Sequence, residues 1–143
     1  MESSPHAPIR VLVVEDNPND QELLRHQLRK TPLGEHVLFL TDPRKALALL
    51  TDPNSAPLRQ ALVALFLDVN LPYMSGIDLL RRIRKIEGYD NLPVIVMTTS
   101  PHPDTLAACK ELDVAYVAEK PVTVSQFSKV LADLFHQQQS AAA

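Results

Sequence analysis

Glycine is scarce in this 143-residue chain. Gly34, Gly76 and Gly88 are its only three, too dispersed to form a loop that cradles phosphates with backbone N–H groups. Tryptophan is absent, and the single cysteine, Cys109, has no partner for an internal disulfide, which fits a reducing compartment. The longest uninterrupted apolar run, ALVALFL, is seven residues, far short of the roughly 20 needed to span a membrane. The opening MESSPHAP has neither a basic n-region nor an apolar h-region, so no secretory signal is expected. Formal net charge is −3, which gives no electrostatic reason to capture nucleic acid. His6, His26, His36, His102 and His136 are scattered, with no pair at metal-ligand spacing, and read as surface residues. These absences leave a single cytoplasmic domain, with neither a membrane nor a nucleic acid as partner.

What is present is an alternation of apolar runs and helical patterns. Strands are expected at Ile9–Val14, Val37–Thr41, Leu62–Asp68, Val94–Thr98 and Val114–Ala118. Helices are expected near Pro18–Lys30, Pro43–Leu50, Gly76–Glu87 and Pro103–Leu112, with a last one from Val124 to about Gln138. Asn17-Pro18 and Asp42-Pro43 each place a capping side chain before a proline at the first helical position. Thr123 and Gln126 have capping-box spacing. Residues 51–60, TDPNSAPLRQ, read as a breaker-rich loop. One domain over 8–138 is expected, with 1–7 and 139–143 as flexible termini and no output module after the fifth helix. Strands that are apolar throughout, rather than alternating, imply a parallel sheet covered by helices on both faces.

Two strands end in acids: VLVVED at Glu15 and Asp16, and ALVALFLD at Asp68. Ligands of open α/β sheets sit beyond the carboxyl ends of the strands, where strand order reverses. If these two strands are neighbours, three carboxylates converge there. Like charges held together need a counter-charge, and Mg²⁺ prefers such oxygen ligands. The fourth strand, VIVMTTS, ends at the Thr98 hydroxyl, and the fifth, AEKP, at the Lys120 ammonium. Acids, a hydroxyl and a lysine on one rim make a phosphate site with a metal.

Glu15-Asp16, Asp68, Thr98 and Lys120-Pro121, in this order at strand ends, resemble the receiver domain of two-component response regulators. The likeness covers nearly the whole chain, roughly residues 8–138. It implies a flavodoxin-like doubly wound (βα)5 fold, a five-stranded parallel sheet in the order 2-1-3-4-5. It also implies that Asp68 accepts a phosphoryl group from a histidine kinase. Asp16 and Asp68 would bind Mg²⁺ directly, with the backbone carbonyl of Asn70, and Glu15 mainly through water. Lys120 would pair with the phosphate, Thr98 would swing to bond it, and Lys120-Pro121 would be cis. Within the family, DVNLPYMSG (Asp68–Gly76) and the TTS ending are similar to the small stand-alone regulators that serve phytochrome kinases. A bacteriophytochrome is therefore the expected kinase, a protein the downstream target, and a second copy, paired through the fourth and fifth predicted helices, a further partner. Phe135 lies at the edge of that last helix.

The sequence departs from the family at the switch. Receivers usually carry Tyr or Phe three residues before the lysine; here that position is Val117, with Tyr116 beside it. Neighbours in a strand face opposite sides, so Tyr116 substitutes only if a bulge shifts it. Thr99 stands where many receivers have a small residue, and Asn70 and Ser100 match positions that tune dephosphorylation. Two other functions remain to be weighed. A Mg²⁺-dependent phosphatase with an aspartyl nucleophile commonly needs a second acid two residues on, where this chain has Asn70. A flavodoxin-like binding module would want the glycine loop that is missing. Neither Cys109, on a helix pattern, nor the basic run Arg81–Lys85 is read as functional: the first is packing, the second a solvated face.

Overall fold

The computed structural model describes residues 8–142, with side-chain surroundings through residue 133. Five parallel strands form one sheet in the order β2-β1-β3-β4-β5. They are β1 (Val11–Val14), β2 (Val37–Leu40), β3 (Ala64–Asp68), β4 (Val94–Thr98) and β5 (Tyr116–Glu119). The helices are α1 (Pro18–Leu28), α2 (Pro43–Thr51), α3 (Ala56–Ala61), α4 (Gly76–Ile83), α5 (Pro103–Glu111) and α6 (Val124–Ala142). The flavodoxin-like order and the two-sided helical cover match the sequence expectation.

Burial explains the composition of the strands. Every residue of β1, β3 and β4 is buried, while the edge strands β2 and β5 are mostly half-buried. One face packs Leu12, Val14, Leu65, Leu67, Val94 and Val96 against α2, α4 and α5. The other packs Val11, Val13, Phe66, Ile95 and Met97 against α1 and α6. There Phe66 and Phe127 meet edge-to-face, centroids 5.3 Å apart, a contact worth about 1 kcal/mol beyond its buried area.

Asn17 and Asp42 cap α1 and α2 as expected, their side chains accepting from Asp20 N–H and Arg44 N–H. Several expectations fail locally. The stretch read as a loop holds α3, because Pro57 suits a first helical turn and the Ser55 hydroxyl turns back to bond the carbonyl of Asp52. The fifth strand starts two residues late: Asp113 has φ 58, so the chain is still turning out of α5 there. No capping box forms at α6. Gln126 donates instead to the carbonyls of Glu119 and Pro121, and Gln27 Oε1 accepts from Val124 N–H. Residues 1–7 and 143 lie outside the described residues, as do the side chains of Phe135 and His136. The backbone of α6 runs to Ala142 rather than ending at Gln138. Among the described residues no helix is long and apolar enough to cross a membrane.

Candidate functional site

Parallel register places the site. Val14 pairs with Leu67, Asp68 with Met97, and Thr98 with Glu119. One residue past each pair stand Glu15 beside Asp68, then Thr98, then Lys120, all on the carboxyl rim. Glu15, Asp68 and Thr98 are buried, whereas Asp16 is exposed. Carboxylate oxygens of Glu15, Asp16 and Asp68 lie within 4.8 Å of one another. Asp68 is held at both oxygens: Asn70 N–H donates to Oδ1 at 3.1 Å and Lys120 Nζ to Oδ2 at 3.1 Å. Asn70 itself is exposed in the loop after β3.

Gly76 is required where it stands. Its N–H donates to the carbonyl of Val69, and a Cβ there would overlap the carbonyl oxygen of Asp68. The glycine thus lets α4 start directly behind the acceptor loop.

Lys120 is the counter-charge of the corner. Its Nζ lies 2.7 Å from Glu15 Oε1, 2.9 Å from Asp20 Oδ2 and 3.1 Å from Asp68 Oδ2. The contact to Glu15 is short but off the direction of a hydrogen bond, so Glu15 Oε1 has a charge partner and no hydrogen bond. Burial and the neighbouring Asp68 push the Glu15 carboxyl up from its ordinary 4.5 to about 7, against the pull of Lys120 and of Asn17 N–H. For Lys120, burial pulls the ammonium down, but Glu15, Asp20 and Asp68 outweigh it and hold it above its ordinary value. The Lys120–Pro121 peptide is cis, and the Gln126 amide braces the carbonyls on either side of Lys120.

An all-oxygen donor set with one buried oxygen lacking a hydrogen bond fits a hard divalent cation. Asp20 was not singled out from the sequence. Its position four residues after Asp16, in the first turn of a helix capped at Asn17, was the available signal.

The remaining candidates fall into place around this cluster. The Thr98 hydroxyl is engaged with Ser100, donating to its carbonyl and accepting from its N–H, both at 3.3 Å. Thr99 and Ser100 are exposed. β5 pairs with β4 without a bulge, so Tyr116 and Val117 face opposite ways. Val117 packs on the α2–α4–α5 face, the side to which Thr98 belongs by alternation, and Tyr116 on the α1–α6 face. The basic run is not wholly solvated as expected. Arg84 is half-buried and donates to the carbonyls of Leu112, Tyr89, Leu92 and Asp113, while Arg81 pairs with Glu111 at 2.8 Å. Cys109 is buried in the core, where burial pushes its thiol up. Of the histidines, His102 caps α5, accepting from Asp104 N–H, and half-buried His36 contacts the carbonyl of Pro8.

The model of the response regulator receiver domain family matches residues 11–132. The chain belongs to this family. It is 31% identical to the response regulator Rcp1 of Synechocystis over 94% of its own length and 85% of that protein's. The solved Mn²⁺-bound form of Rcp1 is similar at 29% identity, with a TM-score of 0.66 and coverage of 93% and 91%. The bacteriophytochrome response regulator AtBRR is 30% identical, with a TM-score of 0.72, over 89% of this chain and 92% of that one. The phosphorylated cyanobacterial phytochrome response regulator RcpA is 25% identical, with a TM-score of 0.71, over 96% and 98%. This receiver domain therefore stands with single receivers linked to phytochromes. Its family is one of signalling phosphoacceptors, and neither the phosphatase nor the flavodoxin-like binding reading is favoured.

Proposed function

We propose that this receiver accepts a phosphoryl group on Asp68 from a phytochrome-type histidine kinase, and signals through the surface that changes with it. The observation that carries this is Lys120 Nζ standing between Asp68 Oδ2 and Glu15 Oε1 on a rim lined by acids. Asp16, Asp68, the backbone carbonyl of Asn70 and, through water, Glu15 hold Mg²⁺ in this reading. When bound, that ion supplies positive charge that neutralises phosphoryl oxygens.

The chain's own groups do the rest. Asn70 N–H fixes the Asp68 carboxylate so that it faces the donor. An Asp68 oxygen attacks phosphorus as the bond to the kinase histidine nitrogen breaks, giving an aspartyl phosphate. Lys120 moves from the carboxylate oxygen to a phosphoryl oxygen. The Thr98 hydroxyl leaves Ser100 for another, which couples the chemistry to the loop carrying Thr99 and Ser100. Asn70, Thr99 and Ser100 tune how long the phosphate lasts, and Val117, on the Thr98 side of β5, takes the switch position.

Leu23 on α1, exposed near Lys120 and Pro121, offers an apolar contact to a docking kinase. Self-association through α5 and α6 belongs to the same reading, supported by the exposed Leu106 on α5. The partners are proteins, with no nucleic acid or membrane among them, and a free buried cysteine suits the cytoplasm.

Intact mass after incubation with Mg²⁺ and acetyl phosphate tests the reading. One added phosphoryl group on wild type, absent from Asp68→Asn and without Mg²⁺, is the expected result. No adduct, together with no binding of a beryllofluoride mimic, would sink it.

A further inference from the structure

We propose that Asp20 is a positioning residue for Lys120, keeping its ammonium aimed at the phosphoryl site while the other acids change partners. This rests on the phosphoacceptor reading. Three carboxylates surround Lys120 Nζ, at 2.7, 2.9 and 3.1 Å from Glu15, Asp20 and Asp68. They are not equivalent. Glu15 and Asp68 share the oxygen cluster with Asp16, whereas Asp20 does not join it. A cation that takes that cluster draws two of the three partners away from the ammonium. Phosphorylation then uses one Asp68 oxygen for the new bond. Asp20 alone keeps its place through both changes.

Asp20 is built to stay. Its N–H donates to Asn17 Oδ1 at 3.0 Å, and Pro18 opens the helix just before it. The carboxylate therefore hangs from a capped helix turn rather than from the ends of β1 and β3 that carry the metal group. Its contact to Lys120 has hydrogen-bond geometry, which the shorter contact to Glu15 lacks. With one N–H pinned to Asp20, the other two are confined to directions that include Asp68. Without that anchor a lysine on a four-carbon stem samples many rotamers, and its charge is spread over a wide arc.

An acid in the first turn also favours the positive end of α1, with or without Lys120. That role would show in the stability of the helix and leave the phosphoryl site unchanged. The two are separated by measuring acetyl phosphate labelling, Mg²⁺ affinity and the ζ-¹⁵N signal of Lys120 in lysine-labelled protein with Mg²⁺ and beryllofluoride. Wild type, Asp20→Asn and Asp20→Ala are compared. Expected for Asp20→Ala is labelling slowed about tenfold, Mg²⁺ affinity within about threefold of wild type, and loss of the ordered ammonium signal. Asp20→Asn, which still offers an acceptor oxygen, should recover most of the rate and the signal.

Labelling of Asp20→Ala at the wild-type rate or faster overturns the proposal. So does an ordered Lys120 signal that survives the substitution, or a collapse of Mg²⁺ affinity, which would put Asp20 among the metal residues. A wild type that neither labels nor binds beryllofluoride overturns the phosphoacceptor reading and this inference with it.

Discussion

Lys120 Nζ stands 3.1 Å from Asp68 Oδ2, although the two residues are 52 positions apart and their strands are separated by β4. The lysine occupies space between acids that a divalent cation would also draw on. Its removal should therefore act in opposite directions on metal and phosphate. Lys120→Met should raise Mg²⁺ affinity several-fold and slow labelling by acetyl phosphate at least about a hundredfold. Without metal it should lose about 3 kcal/mol of stability, since Glu15 and Asp68 are left buried without a counter-charge. Calorimetric titration with Mg²⁺ and chemical unfolding with and without the ion measure both effects.

Mg²⁺ binding should strengthen with pH through neutrality. Glu15, pushed up to about 7, carries a proton below that pH and must release it before its charge can serve the cation. Affinity should climb by up to roughly tenfold per pH unit below 7 and level off above it. The same shift acts on the metal-free fold. An acid whose folded value lies above its unfolded one binds more protons when folded, so its contribution is fully present at low pH. It is lost as pH rises from about 4.5 through 7. The gap in melting temperature between wild type and Glu15→Gln should follow that window without Mg²⁺ and close when the ion saturates. A gap independent of pH would show that Glu15 is ionised throughout.

Gly76→Ala should cost about 1–3 kcal/mol, because the new methyl group meets the Asp68 backbone rather than a side chain that could move. The collision lies at the acceptor itself, so labelling of Asp68 should slow as well. Urea unfolding and intact mass together test this, and a variant with normal labelling would show that the loop relaxes freely.

Thr98→Ala should uncouple phosphorylation from the rest of the domain, while Tyr116→Leu, which removes the aromatic ring, should not. Tyr116 faces α1 and α6, on the side of the sheet opposite Val117 and Thr98. Amide chemical-shift changes on adding beryllofluoride should persist in Tyr116→Leu and shrink sharply around β4 and β5 in Thr98→Ala. Loss of the response in Tyr116→Leu would return the switch to the aromatic.

Arg84→Met should destabilise the fold by roughly 3 kcal/mol, since four backbone carbonyls lose a charged donor. They lie in the connections leading into β4 and β5, far from the acidic rim. Labelling by acetyl phosphate should be unchanged under conditions where the variant stays folded.

The sheet and most of the site were legible in the chain because both are written in short local patterns. Short β-rich runs such as VLVV and ALFLD, alternating with helical patterns, suit the middle of a parallel sheet, and an acid, a hydroxyl or a lysine at the end of such a run then emerges on the rim. Asn17 and Asp42 announce helices through caps that depend on a few neighbouring residues. What escaped is what depends on contacts between distant segments. α3 is a single short helix whose breakers look like a loop until packing decides. Arg84 looked solvated because its four partners come from turns up to 29 residues away. Asp20 reads as an ordinary first-turn acid until Lys120 arrives from 100 residues further on. The facing of Tyr116 and Val117 was undecidable from spacing, because one bulge would reverse it, and only the unbroken register with β4 decides. Sequence thus determined which residues lie on the rim. Tertiary packing decided which of them touch, because a contact energy falls off over a few ångströms and no spacing along the chain encodes that distance.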